Sequence, residues 1–326
     1  MRFIVRRLSF YLVALWIAVT LNFLVPRLMP GDPATALFGQ MEGRATVAQL
    51  NAMKAAFGID QGNLFQQYIA YIEHLVQGNL GVSFSHFPTP VSTVIGQDLP
   101  WTLLLVGVAV GISFGLGTLL GIIAAWRRGG IFDTFLPPFL LFLWSFPPFW
   151  IGLLLLYIFG LNLGWFPMAH SYDLNLTLKL TPAVVLSVID HAFLPAFVLV
   201  ITTVGSWVLG MRNNMVSTLS EDYITMAEAK GLPQRRVMLW YAARNAILPQ
   251  LTSFAIALGL VVSGQVLIEL VFSYPGVGFE LVQAAFNEDY PLLQGLLLVI
   301  VLAVLIANFL MDCLYAWLDP RARQET

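Results

Sequence analysis

The sequence predicts an all-α integral membrane protein with six transmembrane helices. Of its 326 residues, 58% are hydrophobic and only 10% are charged, whereas ordinary soluble domains carry about 25% charged residues. The apolar residues fall in blocks near the length of about 20 residues that crosses a bilayer. The lipid bilayer is therefore the expected environment. A net charge of −2 with no basic run gives no reason to expect nucleic acid as a partner.

Six apolar blocks are predicted to span the membrane. They cover residues 8–28, 102–125, 135–161, 194–210, 251–272 and 292–318. The first block follows Arg2, Arg6 and Arg7 and precedes no small-residue cleavage site before Pro30. This pattern predicts a retained signal anchor and not a cleaved signal peptide.

The positive charges predict the orientation of these spans. An even number of spans places both ends of the chain on one side of the membrane. If that side is the cytoplasm, only Arg27, Arg44, Lys54 and Lys179 of the 16 Lys and Arg residues fall outside. Lys and Arg are concentrated on the cytoplasmic side of membrane proteins, so we expect both termini in the cytoplasm.

The first external segment, residues 29–100, is too long for a simple loop and contains two helical patterns. The first pattern places Val47, Leu50, Met53 and Phe57 on one face. The second comprises Leu64, Phe65, Tyr68, Ile69, Ile72, Leu75 and Val76 and ends at Gly78. We expect a small extracytoplasmic helical cap, which serves either as a packing lid or as part of a landing surface for a soluble substrate carrier.

Two spans carry residues that indicate how their helices pack or bend. Gly107, Gly111 and Gly115 repeat every four residues, with Gly117 and Gly121 beyond, and small residues at that spacing let helix backbones approach closely within lipid. This face serves packing within the chain or a dimer interface. Pro147 and Pro148 interrupt the third block and predict a kink, for gating or for packing.

The longest polar stretch of the chain runs from residue 220 to residue 249. Ser220 is expected to cap a short helix, and Gly231 is expected to end it in the left-handed conformation. Pro233 cannot continue that helix, so a second, amphipathic helix over residues 234–247 should follow. An ordinary positive cytoplasmic loop is the alternative to a protein-binding surface.

The predicted protein-binding surface consists of charged, small and polar side chains around the first of these helices. Its residues are Glu221, Asp222, Tyr223, Ala227, Glu228, Ala229, Lys230, Gly231, Leu232, Arg244, Asn245 and Pro249.

Ionisable residues inside spans are functional candidates by default. Glu269 is expected either to line a pore or to hydrogen-bond the turn at residues 274–276. Asp312 is expected to accept from Arg244 or another loop arginine, with proton transport as the alternative. The full set of candidate pathway or gating residues is Pro147, Pro148, Gln265, Glu269, Asn308 and Asp312.

The sequence lacks the motifs that would make this chain an enzyme. A phosphate-binding loop needs a lysine directly after a glycine, and none of the chain's lysines has one. The four histidines lack metal-ligand spacing. We therefore expect no catalytic residues, no metal and no cofactor in this chain, which must obtain energy from a partner.

The polar stretch resembles the ATPase-docking loop of membrane subunits in ABC importers, more narrowly the dipeptide/oligopeptide permease family. The resemblance lies in Ala227-Glu228-Ala229-Lys230-Gly231, in Arg235-Arg236 and in Arg244-Asn245-Ala246-Ile247-Leu248-Pro249. The family's loop opens with glutamate-alanine-alanine, where this chain has Thr225, Met226 and Ala227. Further stretches resemble the first permease of that family in the same order: Pro30-Gly31-Asp32-Pro33, Gly58-Ile59-Asp60, Gly78-Asn79-Leu80-Gly81, Leu163-Gly164-Trp165-Phe166-Pro167, Tyr274-Pro275-Gly276-Val277-Gly278, Asp289-Tyr290-Pro291 and Asp319-Pro320-Arg321.

The resemblance implies the transmembrane domain fold of a type I ABC importer with a small helical extracytoplasmic insertion. The implied division is a cytoplasmic segment and first span at 1–28, an extracytoplasmic helical loop at 29–100, and a five-span core at 101–318. The core carries the docking loop at 211–249, and a cytoplasmic tail follows at 319–326.

The resemblance also implies partners and a location. The chain would pair with a sister permease, two ATPase subunits that hold ATP and Mg²⁺, and an extracytoplasmic substrate-binding protein. All would act at the cytoplasmic (inner) membrane of a bacterium or archaeon. Short peptides are the expected substrate, with oligosaccharides, glutathione or nickel as alternatives. A self-sufficient secondary transporter and a structural membrane anchor are the alternatives from other classes.

Overall fold

A computed structural model describes residues 2–28 and 63–318, which are almost entirely helical. The helices are α1 (Arg2–Leu28), α2 (Leu64–Val76), α3 (Val91–Trp126), α4 (Ile131–Trp144), α5 (Pro148–Leu155), α6 (Pro182–Leu219), α7 (Asp222–Ala229), α8 (Gln234–Arg236), α9 (Arg244–Leu260), α10 (Val266–Val271), α11 (Val277–Phe286) and α12 (Tyr290–Leu318). A π-helix over Leu156–Asn162 follows α5, and another over Val237–Ala243 joins α8 to α9. The prediction of an all-α fold is confirmed.

The described helices also confirm the prediction of several membrane spans. Five of them are long and apolar enough to cross a membrane, and the bent pair α4 and α5 supplies a sixth if it counts as one span. Two compact units divide the chain. The first unit consists of Met1–Trp101 with Pro275–Thr326, and the second of Thr102–Tyr274.

In the first unit, α1 and α12 pack side by side in opposite directions. At one end of the pair, Asp312 accepts from Arg7 Nη1 at 3.0 Å and from the Tyr11 hydroxyl at 2.7 Å. At the other end, Asn22 Nδ2 donates to the Gln294 carbonyl at 2.8 Å. The prediction that Asp312 accepts from Arg244 is therefore wrong, because the antiparallel packing places a residue of α1 beside it. The same packing places residues 2 and 318 at one end of the unit.

The second predicted helix of the external segment is confirmed as α2. Asn63 caps it by accepting from Gln66 N, and Gly78 follows it with φ of +74°. The side of α2 that carries Tyr68 packs on α1, where the Tyr68 and Thr20 hydroxyls lie 2.8 Å apart. The first predicted pattern, Val47 to Phe57, lies outside the described residues.

In the second unit, α3 packs on α6 at Gly117 and Gly121. A Cβ at Gly117 would collide with Trp207, and one at Gly121 would lie 2.7 Å from the Val208 carbonyl. By contrast, a Cβ at Gly111 would meet no described atom within 4 Å. Close packing within the chain is therefore confirmed at Gly117 and Gly121 but does not occur at Gly111, and a dimer interface at the four-residue repeat stays a prediction.

Two predicted spans are interrupted. The kink at Pro147 and Pro148 is confirmed, because α4 and α5 meet at 90° and Pro147 and Pro148 begin α5. The predicted span over residues 251–272 is two helices, since Gly264 breaks the backbone between α9 and α10 with φ of +69°. A side chain strains against such a φ whereas glycine does not. The interrupted pairs meet where α10 packs on α5 at Gly152, which lies against Phe272 and Ile268.

The helix ends differ from the predicted span limits. α3 starts at Val91 and passes through Pro100, and α6 extends from Pro182 to Leu219. An α-helix rises about 1.5 Å per residue, so both helices are longer than the hydrocarbon core of a bilayer, which is about 30 Å thick. Hydrophobic blocks mark the part of a helix that lies within lipid, and they do not mark its ends.

The contact between α3 and α6 predicts unequal effects of two alanine substitutions. Gly121→Ala should lower the free energy of unfolding by about 1–3 kcal/mol, because overpacking forces backbones apart. Gly111→Ala, on the same helix, should leave stability close to wild type. Thermal unfolding of the detergent-purified protein measures both, and equal melting temperatures for the two variants would contradict this packing.

Candidate docking surface and pathway residues

The polar stretch forms the short helix α7 with a defined beginning and end. Gly231 has φ of +74°, its N–H donates to the Glu228 carbonyl at 2.8 Å, and Leu232 N–H donates to the Ala227 carbonyl at 3.4 Å. These two bonds close the helix in a Schellman motif, as predicted for Gly231. The predicted cap at Ser220 is wrong. Its hydroxyl donates to the Ser217 carbonyl at the end of α6, and Glu221 stands at the N-cap position without a side-chain cap.

One face of α7 is built into the interior of the second unit. Ile224 is 2% exposed and Ala227 is 3% exposed. They belong to a cluster with buried side chains from α3, α6, the second π-helix and α9: Ile122, Ala125, Met211, Met215, Val237, Ala242, Ala243 and Ala246. Ala227 is therefore a packing residue, and among the small residues of this stretch Ala229 and Gly231 remain on the surface.

The opposite face of α7 is exposed and carries most of the predicted docking residues. Met226 is 59% exposed, and Tyr223 is partly exposed beside it. The exposed charged residues of α7 and its flanks are Glu221, Asp222, Glu228, Lys230, Arg235, Arg236 and Arg244. Lys230 and the three arginines form no ion pair with any residue in the described ranges. This face therefore presents an apolar centre with free charges around it.

Polar contacts tie α7 and α6 to α9. Asn245 Nδ2 donates to the Tyr223 hydroxyl at 3.1 Å and to the Tyr241 carbonyl at 2.9 Å. Asn214 of α6 donates to the Ala246 carbonyl at 3.2 Å. The second predicted helix continues without a break through the π-helix into α9, with exposed Pro249 in its interior. The predicted docking stretch is thus continuous with a candidate membrane-spanning helix.

An ion pair that sequence reasoning missed holds α4 to α6. Arg212 Nε donates to Asp133 Oδ1 at 2.5 Å, and Arg212 Nη2 donates to Asp133 Oδ2 at 2.9 Å. Gly129 N–H also donates to Asp133 at 3.0 Å. The sequence offers a weak signal for this pair, since each residue is a single charge near the predicted cytoplasmic end of its span.

The structure places the candidate pathway residues in different settings. Glu269 is fully buried and accepts from the Thr102 hydroxyl at 3.0 Å, so its carboxylate does not line an open surface. Its main-chain carbonyl accepts from Tyr274 N–H at 2.8 Å, which joins it to the predicted turn. Gln265 is exposed at the break between α9 and α10, and Asn308 is exposed on α12.

A groove lies beside the segment between the third and fourth spans. It has a volume of about 890 Å³ and is lined by residues between Phe166 and Phe193, including Asp173, Asp190 and His191. The main-chain N–H and the side-chain amide of Asn175 donate to Asp173 and lower the pKa of its carboxyl. No group of three or more metal-ligating side chains occurs among the described residues.

Comparison with known proteins gives two family matches. A family model described as a binding-protein-dependent transport system inner membrane component matches residues 117–324. A second, described as the N-terminal part of a binding-protein-dependent transport system membrane component, matches residues 1–105.

Several curated relatives match along their whole length. A putative peptide permease protein of Brucella suis biovar 1 (strain 1330) is 37% identical over 326 residues, with 99% of both chains covered. The di/tripeptide transport system permease protein DppB of Pseudomonas aeruginosa (strain UCBPP-PA14) is 35% identical over 340 residues, with 99% of both chains covered. The oligopeptide transport system permease protein AppB of Bacillus subtilis (strain 168) is 32% identical over 325 residues, with 98% of both chains covered.

The ion pair between α4 and α6 predicts a non-additive pair of substitutions. Arg212→Met should destabilise the protein by about 3–5 kcal/mol, because it leaves the buried Asp133 carboxylate without its cation. The double variant Asp133→Leu/Arg212→Met should recover most of the loss, since it buries no unpaired charge. Melting temperatures of the three proteins measure the effect, and a double variant less stable than Arg212→Met would show that the charge is not the cause.

Proposed function

Because the chain belongs to the family of binding-protein-dependent transport system inner membrane components, we propose that it forms half of the translocation pathway of an ATP-driven importer of short peptides. A single observation carries the docking part of this proposal. The helix α7 buries Ile224 and Ala227 inside the chain and exposes Met226 and Tyr223. Because the buried side chains anchor α7, a partner bound to its exposed face could move the helix as a rigid element.

The proposed partners follow from what the chain holds and what it lacks. Two ATPase subunits would hold ATP and Mg²⁺, for which this chain offers no motif, and one of them would dock on the exposed face of α7. A sister permease would complete the pathway, and an extracytoplasmic binding protein would deliver the substrate. The groove between Phe166 and Phe193 and the helix α2 are candidate landing surfaces for that protein.

The proposed orientation places α7 in the cytoplasm. Arg235, Arg236 and Arg244 follow α7, and positive residues are concentrated on the cytoplasmic side of membrane proteins. Residues 2 and 318 lie at the same end of the first unit because α1 and α12 are antiparallel. Both termini would then be cytoplasmic.

In the proposed mechanism, closure of the ATPases on ATP moves α7, and α7 moves the helices with which it shares a buried cluster. That cluster contains side chains of α3, α6 and α9, so the cytoplasmic ends of three spans would move together. This motion would open the pathway outward for a substrate released by the binding protein. Hydrolysis would return the spans to the inward-facing state.

The break between α4 and α5 is the proposed pathway segment of this subunit. Ser145 and Pro147 are exposed in the single chain, at a right-angled interruption of a candidate span. Irregular backbone does not occur against lipid and is tolerated only against protein or a water-filled cavity. The break would therefore face the sister subunit or the aqueous pathway. Gln265, at the second break, would lie along the same route.

The substrate proposal rests on the relatives. Those compared above are named as permeases for peptides, dipeptides or tripeptides, and oligopeptides. Short peptides are therefore favoured over oligosaccharides, glutathione or nickel, and the names give no support to a self-sufficient secondary transporter. Selection among peptides would be made largely by the binding protein.

Substitution at Gly231 tests the docking proposal. A Cβ there would meet no described atom of this chain within 4 Å, so Gly231→Arg adds no clash within the chain and costs only the strain of a side chain at a positive φ, about 1–2 kcal/mol, while it obstructs a docked partner. We expect at least about a tenfold loss of co-purifying ATPase and of labelled-dipeptide uptake, the loss typical of an interface hot spot. Gly231→Asn is the matched control, because asparagine adopts a positive φ more readily than most residues, and it should retain both. Normal ATPase recovery and uptake by Gly231→Arg would contradict the docking role.

Cysteine labelling tests the pathway proposal. In a Cys313→Ser background, Ser145→Cys and Gln265→Cys should react with a water-soluble thiol reagent, because reaction requires the thiolate, which forms only where water has access. Leu153→Cys, which is also exposed but lies on the regular helix α5, is the lipid-facing control and should react at least about tenfold more slowly. Equal, slow labelling at all three positions of the assembled transporter would exclude an aqueous pathway at the two breaks.

A further inference from the structure

Residues 79–90, between α2 and α3, form a tight hairpin in the first unit. Val82 pairs with Pro90 in an antiparallel bridge, and Ser83 N–H donates to the Thr89 carbonyl at 3.1 Å. Asn79 accepts from Gly81 N–H at 3.0 Å and fixes the turn that begins the hairpin. The hairpin therefore has a defined backbone, and its tip reaches to α11 and to the start of α12 through polar side chains.

Two carboxyl groups, those of Asp289 and Glu280, lie at this contact. The first accepts several hydrogen bonds. Asp289 is fully buried and directly precedes α12. Its Oδ2 accepts from the Ser83 hydroxyl at 2.5 Å and from Ser85 N–H at 2.9 Å, and its Oδ1 accepts from Leu292 N–H at 3.1 Å. Three donors stabilise the ionised form of a carboxyl group, so Asp289 is suited to carry a negative charge.

The second carboxyl group lacks such support. Glu280 of α11 is 9% exposed, and its Oε1 accepts no hydrogen bond from the described residues. Its nearest cationic candidate is His86 at the hairpin tip, whose Nδ1 lies 3.7 Å from Oε1 and 3.3 Å from the Ser83 hydroxyl. Burial raises the pKa of the Glu280 carboxyl, and the charge of Asp289 raises it further.

The other titratable groups on the surrounding elements are acidic. Glu288 lies beside Asp289 and is exposed, and Asp98 lies on α3, which packs against α11 and α12 through Ile95 and Leu99. Among the described residues of these elements, His86 is thus the group able to supply a positive charge to Glu280.

We propose that Glu280 and His86 together hold one proton, and that this proton fastens the hairpin 79–90 to α11. The proton has two possible positions. It lies on the carboxyl beside a neutral imidazole, or on the imidazole beside a carboxylate. In either form the cluster carries the single net negative charge of Asp289. Loss of the proton leaves the buried carboxylates of Glu280 and Asp289 without a cation. Because Ser83 and His86 hold the hairpin against these carboxylates, the hairpin is then released.

The direction of the pH dependence follows from the raised pKa of Glu280. A group whose pKa is higher in the folded than in the unfolded state stabilises the fold fully below its unfolded pKa and loses that contribution as the pH rises through the folded pKa. The hairpin is therefore fastened at low pH and released as the pH rises through the raised pKa of Glu280. In the proposed orientation the hairpin faces the extracytoplasmic medium, whose pH sets its state.

Hydrogen exchange of the assembled transporter in lipid nanodiscs tests this proton. Protection of residues 79–90, corrected for the intrinsic exchange rate, is measured from pH 5.5 to pH 8.5. Wild type should lose protection by up to about tenfold per pH unit above the release midpoint, the limit that linkage to one proton sets. Residues 163–181 of the second unit provide an internal reference that should not change.

Two variants identify the group that holds the proton. Glu280→Gln matches the shape of the neutral acid and should keep the hairpin protected at every pH. Glu288→Gln, an exposed acid in the same turn region, should keep the wild-type dependence. A wild type without pH dependence, or a Glu280→Gln variant that keeps it, overturns the proposal.

If Glu280→Gln does not assemble, His86→Asn gives the decisive measurement. It removes the imidazole that shares the proton, so the release midpoint should move to lower pH. An unchanged midpoint in His86→Asn overturns the proposal. Peptide uptake by Glu280→Gln at acidic pH should match wild type. Failure of the proposed proton contact would appear in the exchange data with uptake unchanged, whereas failure of the importer assignment would appear as absence of uptake by wild type.

Discussion

The burial of Ile224 and Ala227 is the constraint on which the end of the second unit around α7 depends. An eight-residue helix is far below the length at which an isolated helix is stable in water, about 12–15 residues. The conformation of α7 therefore exists only because these two side chains pack against α3, α6 and α9. The exposed face of α7 is consequently fixed relative to the ends of the helices on which α7 packs. A partner that moves α7 without unfolding it must move those helix ends as well.

The helices behind α7 are joined by close approach and by polar bonds. Between membrane helices, lipid removes the hydrophobic drive for association, so small residues and interhelical hydrogen bonds supply it. Gly117 and Gly121 bring α3 onto α6, and Gly205 brings α6 onto the Leu140 backbone of α4. Gln250 of α9 donates to the Trp207 carbonyl at 2.7 Å beside Gly210, where a larger residue would displace it. These contacts make a stiff connection from the proposed docking surface into the spans.

Features set by local chemistry could be predicted from the sequence. Apolar block length identified the spans, Gly231 identified the end of α7, and Pro147 with Pro148 identified the break between α4 and α5. Each depends on the conformational limits of a few neighbouring residues. The assignment of a docking role came from resemblance, because charge and amphipathicity alone also fit an ordinary cytoplasmic loop.

Features set by distant residues could not be predicted. Asp312 was assigned to a loop arginine because the antiparallel pairing of α1 with α12 has no sequence signal, and Arg7 proved to be its partner. Ser83 and Asp289 are 206 positions apart, and nothing in either stretch points to the other. The break at Gly264 was missed because apolar residues flank it on both sides, and hydropathy does not record backbone conformation.

The first unit joins helices that are far apart in the sequence, and this has a consequence for how the protein is made. Helix α1 is synthesised well before α12, yet the amide of Asn22 donates to the Gln294 carbonyl of α12 at 2.8 Å as well as to the Tyr71 hydroxyl of α2 at 3.3 Å. A polar side chain inside a membrane is costly until it is bonded. The bond to Tyr71 can form as soon as α2 has been made, whereas the shorter bond to Gln294 must wait for α12. The packing of α1 in this unit is therefore completed only once α12 has been inserted.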